Sequence, residues 1–278
     1  MEATNSQGSL LTLQLGDDSS GINIQNITGL DPVKATIVSS SFANQDGAIY
    51  QSSRRDTRNI VLTLELDPDP NITDVLSLRR YVYSFFRPKD QITLKYYVDD
   101  TDDASEDGYL IAGVVESCES PMFVQDPIVT ISVMCLDPDF TDPVTATSAS
   151  MTSADSAATY FQYKGTVPAG YVATLNFDAA VTEFTLYYTD ANLTNWTMDF
   201  AYAFEVGDAL TVSTIPGNKY ATLVRAGVTS SVLYGVSPQS IWSQLAPGDN
   251  WLRIYISGDT LPGKINGTVT YNTRFGEL

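Results

Sequence analysis

The sequence predicts a mainly β protein with one prominent helix: an α+β domain followed by a β-sandwich. Three observations predict it. Short segments of period-two alternation recur along the chain, the signature of strands that bury one face. A single run, Val75–Phe86, instead repeats its apolar residues at helical spacing. A stretch rich in Ser, Thr and Ala then separates the half that holds this helix from a half made only of strand and turn signals.

Taken in order, Asn59–Leu66 sets Ile60, Leu62, Leu64 and Leu66 on one face, with Val61, Thr63 and Glu65 on the other. Gln91–Val98, Gly108–Glu116 and Ile128–Cys135 read as three further strands, the last with Val129, Ile131, Val133 and Cys135 on one side. Between the first two lies the helix. Thr73 or Asn71 is placed to cap it, and Asp74 suits the positive end of its dipole. Val75, Leu78, Val82 and Phe85 form its stripe, joined by Leu76 and Phe86. Arg79, Arg80 and Arg87 flank that stripe, and Pro88 stops the helix. The stripe is expected to lie across the sheet and close the core.

The expected boundaries are residues 1–140 for the first domain, 141–158 for a linker and 159–278 for the sandwich. In the sandwich the strand signals are Tyr171–Phe177, Glu183–Tyr188, Ala209–Ser213, Tyr220–Arg225, Asn250–Ser257 and Thr268–Phe275. Turn residues separate them, notably Pro216-Gly217-Asn218, Pro247-Gly248-Asp249 and Pro262-Gly263.

Composition removes several classes of function. The chain of 278 residues contains no histidine, so Ser-His-Asp and Cys-His catalysis and His-ligated zinc are impossible. The net charge is −18. Residues 1–140 carry nine basic and 22 acidic side chains, residues 141–278 six and 11. Such a field repels nucleic acid and anionic lipid, so neither sequence-specific nucleic-acid binding nor membrane insertion is expected. No run approaches the ~18 apolar residues of a membrane span, and the first residues lack a basic n-region. Without an export signal, the five Asn-x-Thr sites at Asn26, Asn71, Asn192, Asn195 and Asn266 read as chance matches.

Cys118 and Cys135 read as two buried thiols, too few for a disulfide scaffold and without metal spacing. Asp99–Asp107, reading DDTDDASED, is an acidic loop whose spacing does not follow a calcium-binding EF-hand. No cofactor motif and no metal site are expected. The arginines of Ser53-Arg54-Arg55-Asp56-Thr57-Arg58 lead into a strand within an acidic chain. Arg54, Arg55 and Arg58 are therefore candidates for an interface with the acidic groups of a second copy, since the guanidinium fork pairs with carboxylates.

A wider pattern links these pieces. Gly29-Leu30-Asp31-Pro32 leads to a strand, then Gly47-Ala48, Ser53-Arg54-Arg55, a regular strand and the helix ending at Arg87-Pro88, and the half closes in Cys135-Leu136-Asp137-Pro138-Asp139-Phe140. Near the end come Gly217-Asn218-Lys219, the run Trp242-Ser243-Gln244-Leu245-Ala246-Pro247-Gly248-Asp249-Asn250, and Tyr271-Asn272-Thr273-Arg274-Phe275-Gly276. This order resembles the distal tail proteins of long-tailed (siphovirus-type) phages over nearly the whole chain.

The resemblance implies a β-barrel-like sheet plus helix in an N-terminal ring-forming domain, with a galectin-like β-sandwich carried outside. It implies a homohexameric, non-enzymatic ring at the tail tip or baseplate. The ring would join the tail tube to the hub, contact the tail tube, tape-measure and tail-associated hub proteins, leave a channel for DNA, and be assembled in the host cytoplasm. The acidic excess would then line that channel.

Two other classes of function compete. A glycoside hydrolase needs a carboxylate pair; Glu183, Asp199, Glu205 and Asp208 are present, but no spacing selects two of them. A carbohydrate-binding adhesion module needs exposed aromatic rings. Trp196, in a polar setting, and one of the adjacent Tyr187 and Tyr188 are the candidates, whereas Trp242 and Trp251 read as core or loop-anchoring residues.

Overall fold

A computed structural model describes residues 1–15, 20–43, 46–68, 74–97, 108–121, 127–148, 150–153, 158–258 and 263–278. The acidic loop Asp99–Asp107, the capping candidates Asn71 and Thr73, and Val98 lie outside the described residues. The chain divides into two compact units, Met1–Pro143 with Phe275–Leu278, and Val144–Arg274.

The first unit holds β1 (Glu2–Asn5), β2 (Leu10–Thr12), β3 (Gln14–Leu15), β4 (Ile22–Thr28), β5 (Ala35–Ser40), β6 (Ile49–Arg55) and β7 (Arg58–Leu66), then α1 (Val75–Phe85). It continues through β8 (Gln91–Tyr96), β9 (Tyr109–Glu119), β10 (Ile128–Cys135) and the start of β11 (Phe140–Thr147). Its sheet runs β11-β9-β10-β7-β4-β3, with β8 bridging β9 to β1 and β1 paired to β2. Among the described residues it does not close into a barrel, so the barrel-like expectation is corrected to an open sheet. β7 and β10 pair antiparallel without interruption from Arg58↔Cys135 to Glu65↔Ile128.

Alternation puts Ile60, Leu62, Leu64 and Leu66 inside together with Val129, Ile131 and Val133. The helix closes the same core with Leu78, Val82, Phe85 and Phe86; burying each stabilises by roughly 1.5–3 kcal/mol. Leu76, expected on the stripe, is instead 49% exposed. It lies two positions from Leu78, about 200° around the helix. Asp74 caps the helix, accepting from the Ser77 N–H at 2.8 Å, and this bond holds its carboxyl below the ordinary value. Cys135 is buried and Cys118 half-buried, both as free thiols that burial pushes up to about 11.

The second unit is a β-sandwich. Its strands are β12 (Met151–Thr152), β13 (Thr159–Tyr163), β14 (Tyr171–Phe177), β15 (Val181–Thr189), β16 (Asn195–Phe204), β17 (Ala209–Ser213), β18 (Tyr220–Arg225), β19 (Val228–Ser231), β20 (Gly248–Tyr255) and β21 (Ile265–Phe275). One sheet runs β19-β18-β17-β14-β21, with β12 on β21; the other runs β13-β20-β15-β16. Their facing sides fill one core that includes Leu175, Leu186, Phe200, Val212, Leu252 and Val269. Phe177, Phe184, Phe200 and Phe204 stack through it at 4.3–5.8 Å. Ser148 and Ser153, in the stretch expected as a linker, are buried, and their hydroxyls accept from the N–H groups of Val269 and Ile265 at 3.0 Å.

Candidate interaction surfaces

β5 and β6 form a ribbon paired only with itself among the described residues. Its register runs from Ala35↔Arg55 to Ser40↔Ile49, with a bulge after Val38. Every residue of the two strands except Ser40 is exposed. Its apolar side chains stand in solvent: Ile37 at 65%, Tyr50 at 62% and Ile49 at 52%, with Phe42 at 58% beyond β5. The base is fastened where Thr36 donates to the Asp56 carboxylate at 2.8 Å and Asp56 N–H donates to the Lys34 carbonyl at 3.0 Å.

The three arginines have separate fates. Arg54 is exposed on the ribbon. Arg55 makes a two-pronged pair with the buried carboxylate of Asp139, Nη2 to Oδ2 at 2.8 Å, and this bond raises its pKa. Arg58 is 1% exposed. It donates to four carbonyls of its own chain: Pro138 at 2.6 Å, Gly29 at 2.5 Å, Asp31 at 2.7 Å and Gly276 at 2.5 Å. Its guanidinium lies 4.6 Å from the Phe140 ring, and burial lowers its pKa. The physical reason is parity. Arg58 is two residues before Ile60 in a regular strand, so it points inward with Ile60, Leu62 and Leu64.

The loop that Arg58 grips explains Gly29. This glycine has φ +92°, and a Cβ there would stand 2.1 Å from the Asn59 carbonyl oxygen, so no other residue fits.

In the sandwich, alternation separates the adjacent tyrosines. Tyr188 is 1% exposed. It donates to Asn250 Oδ1 at 2.6 Å, accepts from Ala246 N–H at 2.8 Å, and stacks on half-buried Trp196 at 5.4 Å. Burial raises its pKa. Asn250 in turn donates to the carbonyls of Ala246 at 2.9 Å and Gly248 at 2.7 Å. The Trp242–Asn250 run is thus a loop tied down by one buried amide, and Trp242 packs against the core.

Tyr187 points outward, on the face away from the core. The register sets it beside Arg253, and sets Thr185 beside Tyr255, Thr189 beside Trp251, and Trp251 beside Tyr160. Arg253 lies between two rings, 5.3 Å from Tyr187 and 5.0 Å from Tyr255. Tyr160, 51% exposed, meets Trp251 at 5.6 Å. Trp251 is therefore an outward, partly exposed residue, not a core anchor. Its parity, opposite to that of Leu252 and Ile254, was the available signal.

Next to this row a cavity of about 300 Å³ is lined by Glu183, Thr185, Asp199, Ser237, Tyr255 and Ser257, among others. Two of the four candidate carboxylates, Glu183 and Asp199, thus share one cavity wall. The other two do not: Asp208 accepts from Arg225 at 2.6 and 2.8 Å, and Glu205 binds the same guanidinium at 2.8 Å.

Residues 11–148 match the family described as the phage tail protein RIFT-related domain. The crystal structure of Dit (gp 19.1) from phage SPP1 superposes with a TM-score of 0.69 at 17% identity, covering 99% of this chain and 98% of that one. The chain carries a phage tail protein domain and has the fold of Dit. A structure of the phage P2 baseplate in its activated conformation with Ca gives a TM-score of 0.49 at 7% identity, covering 100% and 99%. Comparison with curated protein sequences gave no match. The second unit is a galectin-like β-sandwich in that fold.

Proposed function

We propose that the chain is a distal tail protein, a structural component of the tail hub or baseplate, and that it assembles through its first unit into a homohexameric, non-enzymatic ring. The ring joins the tail tube to the tip or baseplate hub and leaves a channel for DNA. One observation carries the reading: the β5–β6 ribbon, exposed on both faces and studded with Ile37, Tyr50, Ile49 and Phe42. A two-stranded ribbon alone is marginal in water, and apolar side chains held out on an arm call for a protein neighbour. An arm that meets a different surface of the next copy makes a head-to-tail contact, the kind that closes into a ring. Arg54 rides on that arm, ready to face the acidic surface of its neighbour. Arg55 and Arg58 hold the arm's base in place and act within their own chain.

The count of six, and contacts with the tail tube, tape-measure and tail-associated hub proteins, rest on the likeness to the family. The −18 net charge supports a lumen that DNA passes without adhering. Assembly in the host cytoplasm completes the reading.

The test is mass by light scattering together with negative-stain microscopy, with and without the tail tube protein. A six-fold annulus is expected from the native chain and monomers from an Ile37→Asp/Tyr50→Asp variant. An annulus that forms equally well from that variant would remove the arm from the interface. A native chain that stays monomeric with its tube protein present would end the ring proposal.

A further inference from the structure

We propose that the ribbon of one copy seats its tip on the outward face of α1 of a second copy, with Phe42 and Ile49 against Leu76 and Tyr83 and with Asp46 paired to Arg80. This rests on the arm-mediated assembly proposed above and names the surface that receives the arm.

A head-to-tail contact needs two different surfaces. The arm supplies one, and exposed apolar side chains mark the other. Outside the ribbon, the first unit exposes six large apolar side chains among its described residues. Leu10, Tyr97 and Leu136 stand on three separate segments, whereas Leu76, Tyr81 and Tyr83 all stand on α1. Leu76, Arg80 and Tyr83 recur about one turn apart, so they share one face of the helix. That face lies away from the buried stripe of Leu78, Val82 and Phe85.

Charge makes the same selection. Val75–Lys89 holds four of the nine basic side chains of residues 1–140 and none of the 22 acidic ones. A second copy, acidic in the rest of its first unit, is drawn toward such an island. Arg80 is exposed and, among the described residues, forms no ion pair.

The tip of the ribbon is the counterpart. Asp46 is the one acidic residue of Ala35–Arg55. It is exposed, and with Phe42 and Ile49 it lines one small hollow. The tip thus presents a carboxylate flanked by two apolar side chains, and the helix presents a guanidinium flanked by two more. Apolar contact around the pair excludes water, which strengthens the attraction between the charges. Arg54 stands five residues along β6 from Ile49, about 17 Å away, and lies outside this contact.

The experiment is sedimentation velocity on the full chain under the conditions that give the native annulus, with the tube protein wherever the annulus requires it. Arg80→Glu and Asp46→Arg should each weaken association between copies by about tenfold or more, and a chain carrying both should recover it. Both positions are exposed, so melting temperatures should stay native, and the recovery itself shows that the substituted chains fold. A chain with a damaged arm, Ile37→Asp/Tyr50→Asp, keeps its seat, and an Arg80→Glu chain keeps its arm. Mixed at a concentration where neither assembles alone, the two should form a heterodimer and stop there. An Arg80→Glu chain that assembles like the native one, while the damaged arm still blocks assembly, overturns this seat and leaves the ring standing. Loss of tube-protein binding alone in Arg80→Glu gives the face to that partner and overturns the seat as well. A native chain that forms no annulus with its tube protein present removes the arm contact itself, and this proposal with it.

Discussion

Arg58 donates through Nη2 to the carbonyl of Gly276 at 2.5 Å, across 218 positions of sequence. One buried guanidinium thereby ties the loop at Gly29 and Asp31, the turn at Pro138 and the chain's last residues to the first strand of the central β7–β10 pair. Arginine suits this post because its five donors sit in a rigid fork and stay charged when buried.

Replacing Arg58 by alanine would strand four carbonyls and leave a cavity under Phe140. We expect a loss of more than about 3 kcal/mol, seen as a lower urea midpoint for the first unit. Arg54→Ala, on the exposed ribbon, should stay within about 0.5 kcal/mol of the native chain. Equal effects from the two would contradict the division of roles among the arginines.

Asn250 is expected to matter for stability in the second unit. Its amide satisfies two carbonyls and its oxygen takes the Tyr188 hydroxyl. Asn250→Ala should cost about 2–4 kcal/mol and Tyr188→Phe about 1–2 kcal/mol, both read by thermal melting.

The Asp208–Arg225 pair sets an acid limit for the sandwich. The Arg225 hydrogen bonds, foremost among several causes, hold the Asp208 carboxyl below its ordinary 3.8. A depressed folded value means that the pair's stabilisation is complete above 3.8 and drains as pH falls through the lower folded value. Melting temperature should therefore drop below about pH 4, and Asp208→Asn should flatten that part of the profile while lowering the plateau at neutral pH. An unchanged acid limb in Asp208→Asn would place the acid sensitivity elsewhere.

The ribbon variant Ile37→Asp/Tyr50→Asp should fold normally. Both side chains are more than 60% exposed, so each change is expected to cost no more than about 0.5 kcal/mol in the isolated chain. A melting curve that matches the native one, alongside failure to assemble, is the expected combination. A large fall in stability would mean that the ribbon serves its own chain.

Much of the fold was legible because alternation is a local signal. Ile128–Cys135, Tyr171–Phe177, Ala209–Ser213 and Tyr220–Arg225 fall where the pattern puts them. β16 went unread although its signal is there: Trp196, Met198, Phe200, Tyr202 and Phe204 alternate along Asn195–Phe204 and face the core. The return strand of the ribbon, β6, has no buried face and so no alternation to find. For the candidate residues, parity held the answer. Arg58 shares the inward register of Ile60 and Leu62, and Tyr188 that of Leu186, whereas Trp251 and Tyr255 oppose Leu252 and Ile254. Residue type suggested three interface arginines and a core tryptophan; strand geometry turns Arg58 inward and Trp251 outward and leaves Arg54 exposed. No local feature could foretell the grip of Arg58 on Gly276, which exists only once the chain has returned.

That return has a practical corollary for dissecting the molecule. Phe275 packs edge-on against Tyr109 at 5.0 Å, and Leu278 donates its N–H to the Leu30 carbonyl at 3.3 Å, so the sandwich is threaded into the first unit like a cassette. A stop codon after Pro143 would amputate the first unit's own closing piece. Isolating that unit calls for a short splice from Pro143 to Phe275.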